Sequence, residues 1–279
     1  MPQAQERNEH GMKLLFLTRF SFFGVSGWRS AASVDPDILL APERLAGRFE
    51  LFEKIAARSL ASQSDLEFDW IVLSSKAMQK PDKDRLRAIV KSTPGTGTRK
   101  VLFREHMPAG KAFLQAIWRN FQADELLTTV VLDDDDALHT GFVKACKEAC
   151  ATSWKERPQE ADHILTSFPN GLSLNLREGG CDFFQRHVPF TNLGLAMTAP
   201  ANSRHNLFAM SHKRAGKRRP SRIVETDFPV YLRTVHQSND SQAMLGADPK
   251  PVKLEKVQEF FSGIDFDALA KSATSPAEA

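Results

Sequence analysis

The chain has 279 residues, 42% hydrophobic and 25% charged, with a formal net charge of +3. It is long enough to bury a sizeable core as one large domain or two small ones, and no apolar run approaches membrane-spanning length. Three cysteines, Cys146, Cys150 and Cys181, without a Cys-x-x-Cys pair, argue against a disulfide framework and a zinc site.

A polar stretch from Met1 to Met12 has no signal-peptide hydrophobic region, so a cytoplasmic protein with a flexible N-terminus over 1–12 is expected. The segment from His212 to Arg222 carries six Lys or Arg residues, and without it the net charge would change sign. Such local basicity suits an anionic ligand at one place. No aromatic residue interleaves it, which gives nucleic acid little support as a partner.

In chain order, the pattern predicts a buried strand over 13–20, then a Gly- and Ser-containing loop through Trp28 to Ser33. Pro42-Glu43-Arg44-Leu45 opens a long helix with Leu45, Phe49, Phe52, Ile55 and Ala56 on one face. Strands follow over 68–75, 99–104 and 126–132, separated by helices over 82–91 and 109–121. This rhythm implies a parallel sheet with helices on its faces. A helix over 141–156 comes next, and Cys146 and Cys150, one turn apart, fill a core face. Residues 163–168 and 172–176, joined by Pro169-Asn170-Gly171, read as a hairpin. A strand over 181–190 and an irregular basic stretch beyond Ala199 are expected. Then come a segment over 230–236, a final helix near 252–261 and a disordered tail over 266–279.

The run Val130-Val131-Leu132-Asp133-Asp134-Asp135-Asp136 sets four carboxylates at the end of a buried strand. In parallel sheets, ligands collect beyond the carboxyl ends of strands, where Arg19 also falls. In an extended chain Asp133 and Asp135 would share one side, and Asp134 and Asp136 the other. Crowded carboxylates raise one another's pKa unless a positive charge neutralises them, which a hard cation such as Mn²⁺ or Mg²⁺ would do.

Several further pieces resemble a known family. Met107-Pro108-Ala109-Gly110-Lys111, Arg119-Asn120 and the acidic run resemble the passage to the Asp-x-Asp metal strand of A-type nucleotide-sugar glycosyltransferases. More narrowly, five segments resemble bacterial putative rhamnosyltransferases. They are Arg19-Phe20-Ser21-Phe22-Phe23-Gly24, Leu45-Ala46-Gly47-Arg48-Phe49-Glu50-Leu51-Phe52-Glu53, Asp133 to Leu138, Phe168-Pro169-Asn170-Gly171, and Val235-His236-Gln237-Ser238-Asn239-Asp240-Ser241.

The resemblance implies an α/β, A-type glycosyltransferase fold: a Rossmann-like, mostly parallel sheet with helices on both faces, followed by a mixed acceptor-side half. It would form a single domain over 13–265, with a nucleotide-sugar half at 13–138 and an acceptor-side half at 139–265. It implies transfer of a sugar from a nucleoside-diphosphate sugar to a glycan or other hydroxyl acceptor, with inversion and with Mn²⁺ or Mg²⁺. Asp133 would sit near the ribose and metal, and Asp135 and His236 would bind the metal; a shift to Asp134 and Asp136 stays open. Arg19 could contact the base or diphosphate, and Arg218 and Arg219 could close on phosphate from a basic flap. An inverting course needs a carboxylate base, for which Asp227 is the candidate and Glu225 the next. Trp28, Asn170 and Asn192 could line sugar or acceptor sites. The competing readings are a metal-dependent phosphotransferase or hydrolase and a non-catalytic binding protein; no P-loop pattern is present.

Overall fold

The computed structural model describes residues 11–25, 31–177, 179–210, 212–236 and 250–272. Chain entry is the buried strand β1 (Lys13–Arg19), followed by the short helices α1 (Ala31–Val34) and α2 (Pro36–Leu39). Next, α3 (Pro42–Leu51) runs through a π-helical turn (Phe52–Ala57) into α4 (Arg58–Ala61). Then β2 (Asp69–Ser75), α5 (Lys80–Ser92), β3 (Arg99–Arg104), α6 (Ala109–Asn120) and β4 (Leu126–Val131) complete the alternating half.

Strands β1 to β4 are mutually parallel, with β1 paired to both β2 and β4 and β2 to β3. Side chains of β1 alternate between faces as the two-residue period requires. Leu14 and Phe16 join Phe49, Phe52, Trp70 and Phe142 on one face. Leu15 and Leu17 pack with Phe113, Ala116 and Ile117 of α6 on the other. Helices therefore cover both faces, and within that core Trp70 Nε1 donates to Thr18 Oγ1 at 3.0 Å.

Beyond β4 the chain turns at the acidic run into β5 (Ala137–Leu138), which belongs to a second sheet. After α7 (Phe142–Lys155) it returns to the first sheet as β6 (Ile164–Ser167), then crosses again into β7 (Asn170–Arg177), which pairs with β8 (Gly180–His187). Cys146 and Cys150 of α7 fill the core face expected of them. A strand β9 (Leu195–Pro200) runs antiparallel between β4 and β6. After α8 (His212–Arg218), β10 (Ser221–Ile223) closes the first sheet in the order β10-β6-β9-β4-β1-β2-β3. The second sheet adds β11 (Tyr231–Val235) and β12 (Pro251–Val252) in the order β12-β8-β7-β11-β5, backed by α9 (Leu254–Phe260) and α10 (Phe266–Ser272). This is the mostly parallel α/β sheet followed by a mixed half that the resemblance implies.

Three expectations are corrected. Residues 163–176 are not a hairpin: β6 and β7 lie in different sheets, and Pro169 is at the crossing. Gly171 is a strand residue whose missing Cβ makes room for the Tyr231 ring, which would lie 2.3 Å from an added carbon. The hairpin in this region is β7–β8, turning at Gly179 with φ +73°. The basic stretch is not irregular, since α8 docks through buried Ala215 against Val131, Leu195 and Leu207. The tail does not begin at 266, because Phe266 and Leu269 of α10 are buried against Phe183 and Phe261; residues 273–279 lie outside the described residues. Among the described residues, no helix is long and apolar enough to cross a membrane.

Candidate functional site

The acidic run forms the joint between the two sheets. It is a turn rather than an extended segment, with Asp136 N donating to Asp133 O at 3.4 Å, so the expected alternation of its side chains does not hold. Asp134 and Asp135 instead meet the same partner, Arg48 of α3. Arg48 Nε donates to Asp134 Oδ2 at 3.2 Å, Nη2 to Asp134 Oδ1, and Nη1 to Asp135 Oδ2 at 3.0 Å. Asp135 Oδ2 also lies 3.0 Å from His236 Nε2, one residue past β11. Asp136 accepts the Thr234 N–H at 2.7 Å, and the half-buried Asp133 lies 3.4 Å from Asn192 Nδ2.

Arg48 was assigned no role by its sequence, although a signal was present. It occupies the apolar face set by Leu45, Phe49 and Phe52, and an arginine there needs a buried anionic partner. The fold supplies two.

Electrostatics separates the carboxylates. Burial would raise Asp135, but the Arg48 charge and the His236 contact outweigh it and hold the carboxyl well below the usual range. Asp136 is pushed well above that range by burial and by the charges of Asp135 and Asp133. Arg48 bonds the run directly, and Arg19, Arg44 and Arg233 face the same cleft. Carboxylate oxygens with one imidazole are a donor set that fits Mn²⁺ or Mg²⁺.

Above the joint lies a cleft with two compartments. The first is lined by the four aspartates together with Arg19, Arg44, Arg48 and Arg233. The second shares Arg19, Ala109, Asp133, Asp136 and Arg233 with it, then extends along α6 past Asn192 to Trp118. Arg19 stacks over Phe208 at 5.2 Å, and its Nε is buried with no hydrogen-bond partner. Ser21, two residues past β1 in the first compartment, holds a left-handed φ of 42°. Its carbonyl accepts from Ser75 Oγ at 2.8 Å, which fixes the rim; non-glycine strain of this kind gathers at ligand sites.

The structure thus brings together Arg19, Asp133, Asp135, His236 and Asn192. Other expected residues fall elsewhere. Asp227 lines a separate pocket with Asn170 and Arg186, beyond the start of β11. The Thr234 contact to Asp136 is three residues into that strand, about 10 Å further on. Glu225 is exposed and pairs with His187 at 3.2 Å. Neither acid lines the cleft. Asn170 donates to Thr226 O at 2.7 Å. Arg218 is exposed at the end of α8, and Arg219 donates to His205 Nδ1 at 3.1 Å, so neither arginine lines the cleft. Trp28 and residues 237–241 lie outside the described residues.

A second carboxylate–imidazole group is present. Asp162, His163 and His205 offer ligand atoms within 4.8 Å of one another. Arg219 donates to the Nδ1 of His205 at 3.1 Å, while His205 Nε2 faces Asp162 Oδ2 at 3.5 Å, and none of these residues lines the cleft.

The family model described as a putative rhamnosyl transferase matches residues 13–248. No protein of curated function matches. Among solved structures, S. aureus TarS 1–349 is similar at 12% identity and a TM-score of 0.41, over 80% of this chain and 60% of that one. Another S. aureus TarS structure is matched over 37% of its length at 12% identity and a TM-score of 0.40. The chain thus spans less than two thirds of either TarS chain. A putative nucleotide-diphospho-sugar transferase from Desulfovibrio desulfuricans G20 is similar at 8% identity and a TM-score of 0.33, over 80% of both chains. The match over residues 13–248, not these distant likenesses, carries the assignment. The chain belongs to the putative rhamnosyl transferase family of glycosyltransferases.

Proposed function

We propose that the protein transfers a deoxyhexose, rhamnose by the family's name, from a nucleoside-diphosphate sugar to a hydroxyl acceptor, with a divalent cation. The observation that carries this reading is the contact of Asp135 with His236 at the joint of the sheets, under a cleft bearing four arginines. Asp135 and His236 would hold the cation, with Asp133 or Asp136 completing the set. When bound, it supplies a positive charge for the leaving diphosphate.

The chain's own residues do the rest. Arg48 is committed to Asp134 and Asp135 and keeps the turn in place. Arg19, with its unsatisfied buried Nε, faces the cleft as a diphosphate donor of charge-assisted hydrogen bonds. Burial of the turn lowers the local dielectric, so each such contact is stronger than in water.

The test is a titration of the purified protein with nucleoside diphosphates, with and without Mn²⁺, followed by assay of the matching nucleotide sugars. Mn²⁺-dependent binding and Mn²⁺-dependent consumption of a nucleotide sugar are expected. Tight binding that ignores Mn²⁺ would remove the cation, and no consumption of any nucleotide sugar would remove the transfer reading.

A further inference from the structure

Resting on the glycosyl-transfer reading, we propose that the second compartment of the cleft is the acceptor subsite, and that it takes a saccharide ring on the face of Trp118. Helix α6 buries Ala112, Phe113, Ala116 and Ile117 against the sheet. Its next stripe, Lys111, Leu114, Gln115 and Trp118, has the i, i+3, i+4, i+7 spacing of one helical face and lines the compartment. Trp118 is 50% exposed there, a large indole face that folding leaves open.

The compartment is continuous with the acidic joint. Ala109 lines both compartments, whereas Trp118 lines only the second. Between those residues α6 rises about 13 Å, longer than one pyranose ring and close to two end to end. A donor sugar beside Asp133 and Asp136 therefore leaves room for one further ring at Trp118.

Past Arg19 and Arg233, which it shares with the first compartment, the lining along α6 has the chemistry of a sugar site. A pyranose offers an apolar C–H face and a rim of hydroxyls. The indole takes the first, and Gln115, Asn192 and Lys111 can hydrogen-bond the second. Asn192 also reaches Asp133 at 3.4 Å, which ties the acceptor wall to the acidic turn.

The probe is a panel of methyl hexopyranosides, rhamnoside, glucoside, galactoside and mannoside, added to the protein with saturating nucleoside diphosphate and Mn²⁺. Saturation-transfer NMR should show contact to the ring C–H protons of at least one glycoside in the wild type and in Trp118→Phe. Trp118→Ala, a change at a half-exposed position, should weaken that glycoside by about tenfold and leave nucleotide affinity unchanged. No contact with any glycoside, equal contact in Trp118→Ala, or displacement of the glycoside by the nucleotide would each overturn the proposal. Failure of the donor reading looks different: the wild type would not bind nucleoside diphosphate with Mn²⁺, whatever the glycoside does.

Discussion

Among the described residues, an aspartate, an imidazole and an arginine are joined by polar contacts both at the joint and at Asp162, and the two groups are held in different ways. At the joint, Asp135, His236 and Arg48 come from a turn, the end of β11 and α3, with side chains 13%, 8% and 9% exposed. In the other group, Asp162 is the sequence neighbour of His163, and its side chain is 68% exposed. The first group exists only when both sheets have formed around it; in the second, buried His163 meets His205 across the fold, but the carboxylate beside them is screened by solvent. Buried charge is expensive to keep, so a site that keeps it and lines a cleft is where function is to be sought.

The largest expected effect follows from that difference. Arg48→Met leaves Asp134 and Asp135 buried without their cation and should lower unfolding free energy by about 3–5 kcal/mol in urea titrations. Asp162→Ala removes an exposed contact and should cost less than about 1 kcal/mol. Added Mn²⁺ should return part of the Arg48→Met loss, by about 2.7 kcal/mol at 100 times the dissociation constant. Equal losses in the two variants would erase the distinction between the groups.

A smaller effect comes from another imidazole behind the joint. His139 packs against Phe228, Phe260 and Phe261, and its Nδ1 accepts from Gly141 N at 2.8 Å. Burial pushes its pKa down to about 4, and protonation would also end that acceptor role. The unfolded state therefore takes up the proton first. Its contribution is fully present above about pH 6.5 and declines as pH falls towards 4. The urea midpoint should drop more between pH 7 and pH 5 for the wild type than for His139→Phe; parallel drops would show that His139 does not titrate in this way. The smallest effect is expected at His205→Ala, which should leave Mn²⁺-dependent nucleotide binding within about twofold, the scatter expected of a site outside the cleft.

The parts of the fold that were legible in the sequence are those in which local pattern and tertiary fate coincide. The strands β1 to β4 and helix α6 read correctly because their residues alternate or repeat towards a core on each face. Pro169-Asn170-Gly171 misled because turn chemistry looks the same at a sheet crossing as in a hairpin, and nothing local reveals that Gly171 clears space for Tyr231. The acidic run was visible, but its geometry was not, since a turn sends Asp134 and Asp135 to one arginine where a strand would part them. Arg48 was legible only as an anomaly on an apolar face. Asp227 stood out for its apolar neighbours, yet the direction of β11 carries it away from the joint, and a sequence does not print direction.

The central claim is that Asp135, held by Arg48 and His236, binds the cation that carries the nucleotide. Calorimetric titration of nucleoside diphosphate with Mn²⁺ into wild type and Asp135→Asn tests it most directly, with circular dichroism to verify the fold. The account predicts a folded Asp135→Asn protein whose Mn²⁺-dependent affinity falls at least about tenfold, 1.4 kcal/mol or more. A folded variant that binds nucleotide and Mn²⁺ as the wild type does would contradict it.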